Sequence, residues 1–181
     1  MSGEIADEEW LMVLAAHPPP FVSRESPVIQ CLAMRGFTLL AVVVTDTSAC
    51  RWGDRLYVGP GMWDRVVEIE QCLTHQWLTT EIQQVLWPTV AAVIRHDEAR
   101  FIEVFNTTIL DDIDAHPLTL LTSLERDCRE AIMAERAQRR FVDFEDLTTR
   151  VACCDHPQEL LVERVITELR VGDDGYRWLT A

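Results

Sequence analysis

His116-Pro117-Leu118-Thr119-Leu120-Leu121-Thr122-Ser123-Leu124-Glu125-Arg126-Asp127 is the stretch on which the reading of this chain turns. Leucines at 118, 120, 121 and 124 precede a helical pattern that runs to Arg139-Arg140-Phe141. That is the outline of a helix-hairpin-helix, a small module that usually grips a nucleic-acid backbone. The hairpin of such a module carries glycines, because backbone without a Cβ lets N–H groups approach a phosphate closely. Here Ser123 and Glu125 stand where those glycines are expected. The outline is that of a binding module, and the chemistry of its tip has changed.

Working outward toward the N-terminus, the chain turns from helical to strand-like patterning. Residues 10–15 read as a strand ended by His17-Pro18-Pro19-Pro20, where three prolines forbid both a helix and a central strand. Residues 28–33 fit a short helix or a strand. Residues 37–45 are the clearest strand, apolar, β-branched and bounded by Gly36 and Asp46. A further strand at 55–58 follows Gly53-Asp54, Gly59-Pro60-Gly61 makes a tight turn, and residues 66–73 continue a curled sheet. Short strands punctuated by Gly/Pro turns suit a small barrel.

After Leu78 the period becomes helical. Thr79 or Thr80 caps a helix carrying Ile82, Val85 and Leu86, and Pro88 fits the first turn of a following helix with Val90, Val93 and Ile94. Asp97 caps another, with Phe101, Ile102 and Phe105 on one face. Residues 143–151 form a short amphipathic helix, and Pro157 opens one whose Leu161, Val165 and Leu169 fall four apart. The fold class is therefore α+β: a barrel domain over residues 1–77, a helical domain over 78–171, and a tail from 172 to 181 that either docks by its aromatics Tyr176 and Trp178 or stays loose.

The chain has 181 residues, 48% of them hydrophobic, enough to bury a real core. Acidic residues number 30 against 16 basic ones, for a net charge of −14, and every basic residue is Arg. The absence of Lys excludes a P-loop lysine and Schiff-base chemistry. So negative a chain is a poor general polyanion binder, because affinity for nucleic acid rests on basic side chains that displace counterions. No apolar run approaches the ~18 residues of a membrane span. The acidic N-terminus lacks the order of a secretory signal, so the chain reads as cytoplasmic. Its six cysteines form no C-x-x-C element. Cys153-Cys154-Asp155-His156 gathers ligand-type residues, but consecutive side chains diverge, and no metal is expected there.

These segments resemble the archaeal "domain of unknown function 655" proteins over about residues 28 to 169. The resemblance is carried by Phe37-Thr38-Leu39-Leu40, by Gly53-Asp54-Arg55-Leu56-Tyr57-Val58-Gly59, and by Asp97-Glu98-Ala99-Arg100-Phe101-Ile102-Glu103-Val104-Phe105-Asn106. It continues through His116, Leu118, Leu120 and Leu121 to Phe141-Val142-Asp143-Phe144-Glu145-Asp146-Leu147. What it implies is an OB-like barrel joined to a helix-hairpin-helix, in a non-enzymatic protein that binds RNA or another nucleic acid within the information-processing machinery. The family pattern at the hairpin is Pro-Gly-Ile-Gly-Lys-Lys, where this chain has Thr122, Ser123, Leu124, Glu125, Arg126 and Asp127. The apolar plug at Leu124 and one positive charge at Arg126 are kept; both glycines are replaced. A basic position in the family's Gly-Lys-Gly turn is Pro60 here.

Three surfaces are candidates. At the hairpin tip (Ser123, Leu124, Glu125), a carboxylate is stabilised by the same helix N-terminus that would hold a phosphate, so it competes with the ligand. The alternative is that the leucines simply hold two helices together. Behind the tip, a helix from 126 to 140 at ~100° per residue places Arg126, Arg129, Arg136 and Arg140 within a sector of about 80°, with Cys128, Ala131 and Ile132 facing away. Such a stripe tracks a phosphate backbone, or it pairs with Glu125 and Glu130 on the surface. On the barrel, Arg55, Arg65, Tyr57 and Trp63 combine charge with stacking surface. The alternative for those aromatics is the core.

No Ser/His/Asp order, His-x-x-x-His pair or Gly-rich phosphate loop is present, so no catalytic residue and no cofactor are assigned. Two functions remain: an RNA-binding accessory protein, or a protein-interaction module whose hairpin has lost phosphate binding.

Overall fold

The computed structural model describes residues 8–23, 25–107, 117–171 and 177–180. His116 and residues 172–176, which include Tyr176, lie outside the described residues. The chain divides into two compact units, Met1–Val90 with Val165–Ala181, and Ala91–Arg164.

The first unit is built on a curled five-stranded antiparallel sheet, and the chain as a whole is α+β with a barrel-like sheet domain. Its strands are β1 (Trp10–Ala15), β2 (Val28–Ala33), β3 (Leu39–Val44), β4 (Arg55–Tyr57) and β5 (Val66–Leu73), in the order β4-β1-β2-β3-β5. The segment at 28–33 that fitted helix or strand is a strand, paired on both sides and buried at all six positions. Register shifts between Val13 and Ala15, and twice along β3–β5, insert bulges. A bulge raises local twist, which is what curls a short sheet. Leu11, Val13, Ile29, Cys31, Leu40, Val42 and Leu56 fill the resulting core. β5 is an edge strand, and its exposed Glu68 and Glu70 suit that position.

The β2–β3 hairpin is held from outside. Phe37 takes a left-handed conformation (φ 53), uncommon for a bulky side chain, and its ring is wholly buried, which offsets the strain. The Glu8 carboxylate accepts the N–H of Arg35 (2.8 Å) and of Gly36 (3.2 Å). Glu168 plays the same part for the tail, accepting the N–H groups of Leu179 (3.0 Å) and Thr180 (2.9 Å). The tail is thus anchored by backbone N–H groups on a buried carboxylate, with Trp178 half-buried beside them.

Helix α1 runs unbroken from Thr80 to His96, with Pro88 inside it. The expectation that Pro88 opens a new helix is corrected. A proline removes one N–H and crowds the carbonyl four residues back, yet here its ring is exposed. The Thr89 hydroxyl bonds the Val85 carbonyl (2.7 Å) and accepts the Trp52 indole N–H (3.0 Å). The stretch after Asp97 is two short turns, α2 (Glu98–Phe101) and α3 (Glu103–Asn106), rather than one helix. Asp97 sits at the cap position but makes no side-chain cap bond. A 3₁₀ turn at Pro117–Leu120 leads to α4 (Arg126–Gln138), then α5 (Phe144–Arg150) and α6 (Pro157–Val171). Asp143 caps α5 through the Asp146 N–H (2.7 Å), as its sequence position requires.

Candidate nucleic-acid interface

In the second unit, Leu118, Leu121 and Leu124 are buried and set the turn through the Leu121 N–H on the Leu118 carbonyl and the Leu124 N–H on the Leu121 carbonyl. Leu120 is half-buried. Ser123 is exposed and donates to the Glu163 carboxylate at 2.5 Å. Glu125 occupies the α4 cap position with its carboxylate exposed and no cap bond of its own. A phosphate arriving here meets two carboxylates and no glycine.

The four arginines behind the tip do not form one open strip. α4 ends at Gln138, and Arg139 is already extended (φ −159), so Arg140 lies beyond the helix. Arg136 is buried and donates to the Thr107 carbonyl. The reason lies in the spacing: Cys128, Ile132 and Arg136 fall four apart, so Arg136 continues the buried stripe instead of opposing it. Arg129 is half-buried, donates to the Leu124 carbonyl (2.6 Å), and carries a buried Nε without a hydrogen-bond partner. Arg126 pairs with Glu130 (3.2 Å), and Arg140 with Glu103. These guanidinium groups are spent largely on their own chain.

In the first unit, β1–β4 pairing sets Trp10 opposite Tyr57 and Met12 opposite Arg55. The Tyr57 ring meets Trp10 edge-on (5.1 Å between centroids), and the Arg55 guanidinium lies over the Trp10 ring at 4.7 Å. All three are half-buried. The Tyr57 hydroxyl donates to the Pro60 carbonyl (2.9 Å), and a Cβ at Gly59 would stand 2.7 Å from that hydroxyl. Gly59 is required for this close approach. Trp63 is exposed and precedes Asp64, whose N–H bonds the Tyr57 carbonyl. Arg65 sits between Asp54 (3.6 Å) and Asp64 (3.5 Å) and donates to the Ala49 carbonyl (2.8 Å). Arg65 staples a loop; Arg55 lies over an aromatic ring.

A family described as "Protein of unknown function (DUF655)" matches residues 15–181. The chain belongs to the DUF655 family. A DUF655 protein of solved crystal structure, Af1531 from Archaeoglobus fulgidus, is 30% identical, with a TM-score of 0.84 over 96% of this chain and 100% of that one. "Uncharacterized protein MJ0038" of Methanocaldococcus jannaschii is 24% identical over 145 residues, which are 80% of this chain. The match spans 66% of that relative, just under two thirds of its length.

Within this DUF655 chain, the residues that organise the second unit were not singled out by sequence. The Asn106 amide donates to the Phe141 carbonyl (2.9 Å) and accepts the Phe141 N–H (2.8 Å). Glu98 accepts the Phe144 N–H (2.7 Å) at the start of α5. Arg150 donates to the carbonyls of Glu135 (2.5 Å) and Arg139 (2.8 Å), pairs with Asp146 (3.1 Å), and covers the Phe141 ring at 4.5 Å. Its one local signal is the i,i+4 spacing from Asp146. Partial desolvation pulls the Asp146 carboxyl up, but the Val142 N–H and the guanidiniums of Arg150 and Arg139 outweigh it, and its pKa is lowered.

No helix among the described residues is long and apolar enough to cross a membrane. Among those residues no group of three or more His, Cys, Asp or Glu side chains is placed to hold a metal ion.

Proposed function

We propose that this DUF655 chain is a non-enzymatic, RNA-associated accessory protein that uses the aromatic edge of its curled sheet, rather than the α4 arginines, to engage nucleic acid. The observation that supports this reading is the Arg55–Trp10–Tyr57 cluster on β1 and β4. Half-buried rings offer faces for unpaired bases, and a guanidinium held over a ring serves both cation–π contact and the phosphate. The exposed Trp63 lies next in the chain to a residue bonded to Tyr57 and extends the same kind of surface. The test is a salt titration of binding to single-stranded and structured RNA. Arg55→Gln and Trp63→Ala should each weaken binding roughly 10-fold, the effect of one stacked base. Affinity no tighter than about millimolar at low salt, no salt dependence, or wild-type binding by both variants overturns the reading.

A second reading is favoured by the tip. Ser123 is bonded to Glu163, Glu125 stands exposed, and the nearby arginines bind their own chain. That chemistry suits a protein contact better than a phosphate. Partners captured from native lysate that persist after nuclease treatment, and are lost with Glu125→Arg, support it. Partners that vanish with nuclease count against it.

A further inference from the structure

The loop between β4 and β5 is braced where its apolar residues face solvent. Met62 is 92% exposed, the most exposed of the large apolar side chains among the described residues, and the adjoining Trp63 is 38% exposed. Both follow Gly59-Pro60-Gly61. The Tyr57 hydroxyl donates to the Pro60 carbonyl (2.9 Å), and the Asp64 N–H donates to the Tyr57 carbonyl (3.1 Å). Gly59 packs so closely on the Tyr57 ring that no Cβ fits there, and Gly61 takes a positive φ (106°) that favours glycine. Past the loop, Arg65 pairs with Asp64 (3.5 Å) and Asp54 (3.6 Å). A free loop would fold an apolar side chain onto the nearest apolar surface. These bonds hold Met62 out instead, so its binding conformation is set before a ligand arrives.

Tyr57 decides what such a side chain would meet. It is bonded to the loop on either side of Met62, and its ring lies against Trp10, which carries Arg55 over its face. Met62 therefore belongs to the same edge as the aromatic and cationic cluster. We propose that Met62 is an apolar wedge that enters between adjacent bases of a single-stranded RNA on that edge, a role that rests on the edge being the RNA surface. An unbranched, polarizable thioether suits the flat gap between two bases, and apolar side chains are used to part base steps in this way. Parting a step costs the stacking energy of that step, so the wedge favours strands whose bases stack weakly.

The experiment titrates the full chain, with 13C-labelled methionine methyl groups, with oligouridylate and with oligoadenylate of equal length. The Met62 signal is assigned by its loss in Met62→Leu. Between two bases this methyl lies over ring faces, so it should move upfield as oligouridylate binds. Met62→Ala should weaken oligouridylate binding roughly 10-fold, the effect of one buried methionine. It should weaken oligoadenylate binding less, because losing the wedge also spares the cost of parting well-stacked adenines. Met62→Leu keeps an apolar wedge and should bind like wild type. Met62 is so exposed that none of these changes disturbs the fold. Salt-dependent binding with an unmoved Met62 methyl, or equal effects of Met62→Ala on the two oligomers, overturns the wedge and leaves the RNA surface standing. No binding of either oligomer overturns both.

Discussion

Asn106 and Phe141, 35 residues apart, are joined by two hydrogen bonds through one buried amide, which donates to the Phe141 carbonyl and accepts its N–H. A side chain here does the work of a rung between two strands. It ends α4 in a defined place, because the buried Phe141 can be reached only if the chain leaves the helix after Gln138. The amide is the one side chain of this size that supplies a donor and an acceptor side by side.

Replacing Asn106 by Ala should therefore cost about 2–4 kcal/mol, the loss of two bonds plus the burial of an unpaired N–H and carbonyl at Phe141. Asn106→Asp should be destabilising too, since it keeps the acceptor but sets a carboxylate against a carbonyl. Chemical denaturation of the three proteins, at matched slope, measures both losses.

Arg150 gathers the Glu135, Arg139 and Arg140 carbonyls at the end of α4 while pairing with Asp146. Lys carries the charge but not the planar fork. Arg150→Lys is expected to lose about 2–3 kcal/mol, since several backbone acceptors lose a charged donor. Hydrogen exchange of the Arg139 amide, which reports the last turn of α4, should speed up in the same variant.

Two carboxylates give opposite pH slopes. At Asp146 the folded pKa lies below the ordinary value, so its contribution is complete above the ordinary Asp pKa and is lost as pH falls through the folded value. At Glu8 burial outweighs the N–H groups of Arg35 and Gly36 and raises the pKa, so its ionisation removes stability as pH rises from the ordinary Glu range through the folded value. Asp146→Asn should flatten the acid limb read at the Val142 amide, which donates to that carboxylate. Glu8→Gln should remove the opposite slope read at the Arg35 and Gly36 amides. Equal slopes in wild type and variant at either site would show that the carboxylate is not the titrating group.

Pro88 lies on the exposed side of α1 and its replacement disturbs no buried packing. A proline within a helix costs about 3 kcal/mol relative to Ala. Its stiffening of the unfolded chain returns only about 0.4–1 kcal/mol. Pro88→Ala is thus expected to stabilise the protein by about 2–2.5 kcal/mol, visible as a higher midpoint in denaturant. A lower midpoint would mean that the proline itself supports α1 at this position.

Local features were legible because each has a local cause. The β-branched run before Thr45, the short helix after Asp143 and the start of α6 at Pro157 follow from backbone preferences within a few residues. The break at Ile102 and the continuity through Pro88 did not follow, since each depends on what surrounds a marginal turn. For the candidate site, the Tyr57–Gly59 closeness was within reach of sequence, whereas the Trp10–Arg55 stack required knowing that β1 and β4 are neighbours.

By itself the sequence determined a strand-rich first half and a helical second half, the α+β class, the absence of a Lys-based chemistry, and a hairpin tip with Ser123 and Glu125 in place of glycine. Only the tertiary structure decided where the charges went. Arg136 turned inward to Thr107, Arg150 gathered the end of α4, and Asn106 fixed Phe141. The physical reason is one of range. Periodicity and capping are settled by neighbours along the chain, but the partner of a guanidinium or an amide is whichever distant acceptor packing leaves beside it.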